Sequence, residues 1–197
     1  MRRQLVTGLL MTIVLTVLLG VVYPFAVTAV SQVAFHDKAN GSFVKDKNGH
    51  VVGSALIGQS FTDSDGKPIA KYFQPRPSSA GDGYDANASG ASNLGPSSAK
   101  LLDAINERAK AYRELNGLAT DAPVPVDAVT GSGSGLDPDI SPRNAELQAP
   151  RVAKSRGLTV AQVMDVVHRH TSDRALGIIG EPVVNVLDVN IDLDRMG

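Results

Sequence analysis

The chain has 197 residues, enough for a buried core, with 19 Lys plus Arg against 20 Asp plus Glu and a formal charge of -1. That balance lacks the basic field nonspecific nucleic-acid binding needs, and aromatics at 5% without Trp argue against base-stacking platforms. The absence of cysteine excludes disulfides, thiolate metal sites, iron–sulfur clusters and cysteine nucleophiles.

From Leu5 to Val30 no residue is charged, and the first acid is Asp37. Roughly 20 apolar residues cross a hydrocarbon core as a helix, so this stretch is long enough to span with tilt to spare. Its threonines can bond back to the preceding turn. Pro24 removes a helix hydrogen bond and favours a kink near the outer end, where Tyr23 is an interfacial anchor. A cleaved signal peptide is the rival reading, with Arg2 and Arg3 as its basic start and Val27-Thr28-Ala29 before the cut. Its apolar region would exceed the usual length of about 7–15 residues, which favours a retained anchor. By the positive-inside rule Arg2 and Arg3 stay cytoplasmic and the chain beyond His36 is exported. The expected division is an anchor over 1–33 and an extracytoplasmic domain over 34–197.

The exported part reads as α+β with long loops. Asn48-Gly49, between Ser42-Phe43-Val44 and His50-Val51-Val52, signals a hairpin. Asp65-Gly66 marks a second turn, and Pro68 to Phe73 reads as a short strand beginning at its proline. Pro96 opens a helix to about Asn116, closed by Gly117, with Leu101, Leu102, Ile105, Ala109, Tyr112 and Leu115 as its apolar stripe. Pro142 opens a shorter one, capped by Asp139 or Ser141, that Pro150 stops or kinks. Thr159 and Gln162 form a capping box for a helix whose core face is Val160, Val163, Met164 and Val167. Val183 to Leu193 alternates as a half-buried strand would, with Asp188, Asn190 and Asp192 on the outer face.

Two loops stand out. From Ser78 to Pro96, 16 of 19 residues are Gly, Ser, Ala, Asn or Asp, and Thr130 to Pro142 contains Gly-Ser-Gly-Ser-Gly. Loops beyond about 12–15 residues are usually functional or disordered, and the first reads as one ordered by a partner surface. Chemistry is sparse. Gly131 to Gly135 lacks the Gly-Lys-Ser/Thr ending of a phosphate loop. Asp137-Pro138-Asp139 fails as a calcium loop because Pro142 and Gln148 stand where Gly and Glu are needed. His168 and His170, two apart on a helix, diverge and do not form a zinc pair. Asp188, Asp192 and Asp194 read as a solvated strand face. An anchored hydrolase using Ser132 or Ser134 remains a second alternative, without a strand-to-helix elbow to hold the serine.

Several phrases are more specific than composition explains: Gly53 to Gln59, Tyr72-Phe73-Gln74-Pro75-Arg76-Pro77-Ser78, Ser89-Gly90-Ala91-Ser92-Asn93-Leu94-Gly95-Pro96, Val129 to Pro142, Gln148 to Ala153, and Leu176 to Leu187. In this order after one hydrophobic helix, the chain resembles the C subunit of the bacterial Kdp-type potassium-transporting ATPase over essentially its whole length. The resemblance implies a non-catalytic subunit of an ATP-driven potassium uptake complex in the inner membrane. Its implied partners are a channel-like A subunit, an ATP-hydrolysing B subunit, a small F subunit and membrane lipid, with no nucleic acid. It also implies stabilised assembly and a raised ATP affinity of the B subunit. A likeness to the ABC-transporter signature makes Ser89, Gly90, Ser92 and Asn93 nucleotide candidates, although Ala91 departs from the pattern. An exported loop cannot meet cytoplasmic ATP, so the expectation is no directly bound cofactor. ATP and potassium are then ligands of the complex, and any ATP effect is transmitted through the partners. Tyr72, Phe73, Gln74, Arg76, Asn93, Leu94, Gly95, Leu136 and Asp137 are the candidate partner contacts.

Overall fold

The computed structural model describes residues 1–196. It divides into two compact units, Met1–Phe43 and Val44 onward. The first is dominated by one continuous helical stretch, Arg2–Ala34, of 33 residues, whose most apolar 18-residue span has a mean hydropathy of 2.6 and no buried residue. At about 1.5 Å per residue it reaches roughly 50 Å, more than a hydrocarbon core of about 30 Å. Thr12 and Thr28 donate their hydroxyls to the carbonyls of Gly8 and Pro24, as lone threonines in an apolar helix do. Helices α1 (Arg2–Val17) and α2 (Tyr23–Ala34) are joined by a π-helical turn, Leu18–Val22. Pro24 has no N–H for the carbonyl four residues back and its ring crowds that carbonyl. The chain accommodates this with the wider turn, in which the Tyr23 N–H reaches Leu18 O. A short helix, α3 (His36–Ala39), follows.

The second unit is α+β. The predicted hairpin forms as β1 (Phe43–Lys45) paired with β2 (Val51–Ser54), and the Asp46 carboxylate accepts from the N–H groups of Asn48 and His50 to hold the turn. Helix α4 (Ala99–Asn116) begins three residues later than Pro96 suggested, because Gly95 to Ser98 closes a separate turn first. It ends as expected with Gly117 in the left-handed region. After α5 (Val126–Val129) and β3 (Asp139–Ile140) comes α6 (Pro142–Arg156), with Ser141 accepting from the Asn144 N–H as its cap.

Of the two outcomes expected at Pro150, a stop does not occur: α6 continues through it to Arg156. Both Pro150 and Glu146, whose carbonyl loses its helical donor, are exposed, so the loss falls on the side of the helix that solvent can reach. Helix α7 (Val160–Arg169) has the predicted capping box, though Val160 is exposed and Val166 joins Val163 and Val167 in the core. Then come β4 (Thr171–Ser172) and β5 (Val183–Asn185), the middle strand of an antiparallel sheet ordered β3-β5-β4.

The last element corrects the sequence reading. Only Val183–Asn185 is strand, and Val186–Met196 is helix α8. The alternation was compatible with both periods, but Val186, Val189, Asn190 and Leu193 repeat at helical spacing and are all buried. Asn185 Oδ1 accepts from the Asp188 N–H at 3.1 Å, a cap that turns the chain from strand to helix. Asp188, Asp192 and Asp194 therefore lie on a helix rather than on a solvated strand face. Asp192 meets Arg169 and His170, each at 3.2 Å, and Asp194 meets Arg156 at 2.9 Å. The core, built from α6, α7, α8 and β5, centres on Val152, Val163, Val166, Val184, Val189 and Leu193.

Candidate functional site

The strand expected over Pro68 to Phe73 reduces to a single bridge between Thr62 and Pro68 around the predicted Asp65-Gly66 turn. Beyond it a turn closes, with the Tyr72 N–H donating to Ile69 O, and from Phe73 to Ser79 the chain pairs with no neighbouring strand. Its partners are side-chain amides, each of which offers a donor and an acceptor as a peptide unit does. The Phe73 N–H donates to Asn190 Oδ1 at 2.8 Å and Asn190 Nδ2 donates back to Phe73 O at 3.0 Å. The Gln74 N–H donates to Gln148 Oε1 at 2.7 Å, and Gln148 Nε2 donates to Gln74 O at 3.0 Å. Asn190 comes from α8 and Gln148 from α6, so the Phe73–Gln74 strap is clamped between two core helices. Phe73, the residue so held, is 1% exposed.

The clamp extends into a fully bonded network. Gln148 Nε2 also donates to Asn144 Oδ1, which accepts from the Tyr112 hydroxyl of α4 at 2.8 Å. Asn144 Nδ2 donates to Asp127, whose carboxylate also accepts from the Ser141 N–H and hydroxyl. Arg151 donates to Gln148 Oε1 and to the carbonyls of Ala70 and Tyr72. Burial lowers the Arg151 guanidinium to about 10, still charged at neutral pH. Burial raises the Tyr112 phenol, keeping it a neutral donor. Among the described residues no buried side-chain polar atom is without a partner.

Past the strap, the two glycine-rich loops pack on each other. Arg76 Nη1 meets Asp137 Oδ2 at 2.7 Å while its other nitrogens reach the carbonyls of Thr130 and Gly131. The Ser78 hydroxyl donates to Gly135 O at 2.6 Å and accepts from the Tyr84 N–H. The Tyr84 hydroxyl donates to Arg76 O at 2.7 Å, with its phenol raised chiefly by burial. The Gly90 N–H and Ser89 hydroxyl both donate to Ser134 O. Gly135, at φ +69°, is required here: a Cβ would lie 2.6 Å from Gly90 O. The chain's own second loop thus supplies the contacts that order the first.

The candidate residues separate into two groups. Phe73 is buried, and Tyr72, Gln74, Arg76, Leu136 and Asp137 are half-buried, with the first four named side chains or backbones tied inward. Tyr72 donates to Asp194 and lies under Arg156, 5.2 Å from its ring centroid, and Leu136 O accepts from the Gly58 N–H. Ser92, Asn93 and Gly95 are exposed and Leu94 half-exposed, with Asn93 in the left-handed region at φ +52°. Ser89 and Gly90 already serve Ser134. Ser132 and Ser134 accept from the N–H groups of Gly135 and Leu136, as turn-forming serines do. His170 is bonded to Asp192, and among the described residues no cluster of three His, Cys, Asp or Glu has metal-site geometry.

The residues sequence reasoning missed are Asn144, Gln148, Asn190, Asp127 and Tyr84. Three of them carried a signal: Asn144 and Gln148, four apart beside Ala145 and Ala149, place amides on an apolar helical face, and Asn190 does the same between Val186, Val189 and Leu193.

The family model described as "KdpC: K+-transporting ATPase, c chain" matches residues 5–195. A potassium-transporting ATPase KdpC subunit of Mycobacterium tuberculosis (strain H37Rv) is 58% identical over 196 residues, covering 100% of both chains. One from Koribacter versatilis is 50% identical over 195 residues, 98% of this chain and 95% of its own. One from Caulobacter sp. (strain K31) is 55% identical over 179 residues, 91% and 87% respectively.

Proposed function

The chain belongs to the KdpC family and is a subunit of the potassium-transporting ATPase complex, and from that premise we propose that it is a non-catalytic assembly subunit. Its N-terminus lies in the cytoplasm, its helix crosses the inner membrane, and its α+β unit stands outside. The supporting observation is the pairing of Arg2 and Arg3 with the uncharged run from Leu5 to Val30, in a helix free of burial within the chain itself. Basic residues are retained on the cytoplasmic side, and an unburied apolar helix requires lipid or other helices around it. With Arg2 and Arg3 set aside, 17 basic residues face 20 acidic ones, giving the rest a charge of -3 that disfavours nucleic acid and suits a cation-handling surface.

In this role the helix packs beside the channel-like A subunit, and the exported unit stabilises the assembly of the A, B and F subunits. The Ser89–Gly95 segment contributes its exposed part, Ser92 to Gly95, as partner contact. The ATP affinity of the B subunit rises by coupling through the membrane partners, because ATP and this unit are on opposite sides of the bilayer. Two measurements test the proposal. A Ser92→Cys chain in intact cells should react with a membrane-impermeant thiol reagent, and labelling only by permeant reagents would invert the topology. Mild-detergent purification from potassium-starved cells should bring down a full-length chain with a P-type ATPase and a polytopic partner. A lone, N-terminally shortened chain would instead establish a secreted binding protein.

A further inference from the structure

Every residue from Ser172 to Glu181 is exposed, yet the middle of this run is apolar. Leu176 is 89% exposed, Ile178 77% and Ile179 60%. Elsewhere in the second unit the exposed large apolar residues stand singly along the chain, at Val51, Leu56, Leu102, Val126, Val160 and Met196. Isolated ones are ordinary on a protein surface, whereas three on one tip are not.

The tip is also built. It connects β4 to β5, the central strand of the sheet, so its base is anchored in the core. Ala175 and Ile179 exchange both backbone hydrogen bonds, at 2.8 and 2.9 Å, and the Gly177 N–H closes on Arg174 O. Below them Arg174 and Glu181 form an ion pair at 2.6 Å. Leu176 sits at φ +55°, a conformation that costs a leucine energy and is kept where the surroundings over-determine it. Gly177 and Gly180 take the other two left-handed positions. A loop closed in this way loses little entropy when it docks.

We propose that the Arg174–Glu181 hairpin is a docking finger whose Leu176, Ile178 and Ile179 insert into an apolar, uncharged cleft of a fellow subunit of the pump. This rests on the assembly role above and adds a second contact to that of the Ser92–Gly95 segment. The other occupants fit less well. The run Ser172–Glu181 carries Asp173, Arg174 and Glu181, a net of -1, with no Trp, Tyr or Lys, so it lacks what draws a segment to an anionic lipid surface. A second copy is disfavoured by area: two tips of three aliphatic side chains fall far short of the roughly 1,600 Å² of a standard stable interface. A fellow subunit needs no such area from the tip, because the chain already belongs to a multi-subunit complex and the finger adds to contacts made elsewhere in that assembly.

The test uses the assembled complex in native membranes. A photoreactive benzophenone side chain replacing Ile178 should crosslink to another pump subunit. Crosslinks to lipid alone, or to a second copy alone, overturn the proposal. The double variant Ile178→Asp, Ile179→Asp should lower co-purification of the other subunits at least tenfold. Ile178→Leu should leave it unchanged. Neither change touches the core, so the melting temperature of the chain should hold in both. Wild-type recovery of partners with the double aspartate variant overturns the finger while leaving the assembly role intact. Failure of the wild-type chain itself to bring down partners overturns both.

Discussion

Asn190 shows how one buried side chain can substitute for a strand. Its amide satisfies both backbone groups of Phe73, neither of which has a neighbouring strand to bond. Asn190→Ala should therefore cost more than a missing contact: it leaves a buried N–H and C=O unpaired, a loss of about 2–4 kcal/mol that denaturant melts would read. Asn190→Asp should restore only the N–H partner and recover part of the loss. Asp139 gives the opposite case. Burial, then the nearby Asp137 carboxylate, holds its carboxyl above the usual range. An acid that binds its proton more tightly when folded contributes stability below its unfolded value, and loses it as pH rises through the folded one. Asp139→Asn is thus expected to raise the melting temperature at pH 7 and to have no such benefit below pH 3.8, where both states of the wild type are protonated.

At the scale of elements, caps decided boundaries that hydrophobic pattern left open. The α7 box is reciprocal, with Thr159 Oγ1 accepting from the Gln162 N–H while Gln162 Oε1 accepts from the Thr159 N–H. Thr159→Ala should destabilise the unit by about 1 kcal/mol, with faster amide exchange confined to the first turn of α7. The two prolines inside helices were met differently. In the apolar segment the chain widens into a π turn before Pro24, which gives Leu18 O the Tyr23 N–H as its donor. In α6 Pro150 faces solvent, water is available, and the helix keeps its register.

For the whole molecule, the second unit has its own core and its own closed polar network. A chain starting at His36 is expected to stay soluble and to unfold in one cooperative transition, within a few degrees of the full-length chain in detergent. Loss of cooperativity would mean that the apolar helix contributes to that unit's fold. The glycine-rich loops should remain protected in it, since Ser134 O and Gly135 O are already occupied by donors from the first loop.

How much of this was legible beforehand varied with the range of the interaction. Local rules determined the apolar helix, the Asn48-Gly49 turn, the Gly117 stop and the Thr159–Gln162 box, because each depends on residues within a turn or two. The family was legible as well, since it rests on the order of several phrases along the chain. Val183 to Leu193 was not legible, because its apolar residues satisfy periods of both 2 and 3.6, and only burial of Asn190 against Phe73 chooses the helix. The inward role of Tyr72, Gln74 and Arg76 was hidden for the same reason. Their partners, Asp194, Gln148 and Asp137, are between 61 and 122 positions away. A side chain's chemistry is written in the sequence, but whether it faces a ligand, a partner or its own core is set by long-range packing, and only the tertiary structure decided that.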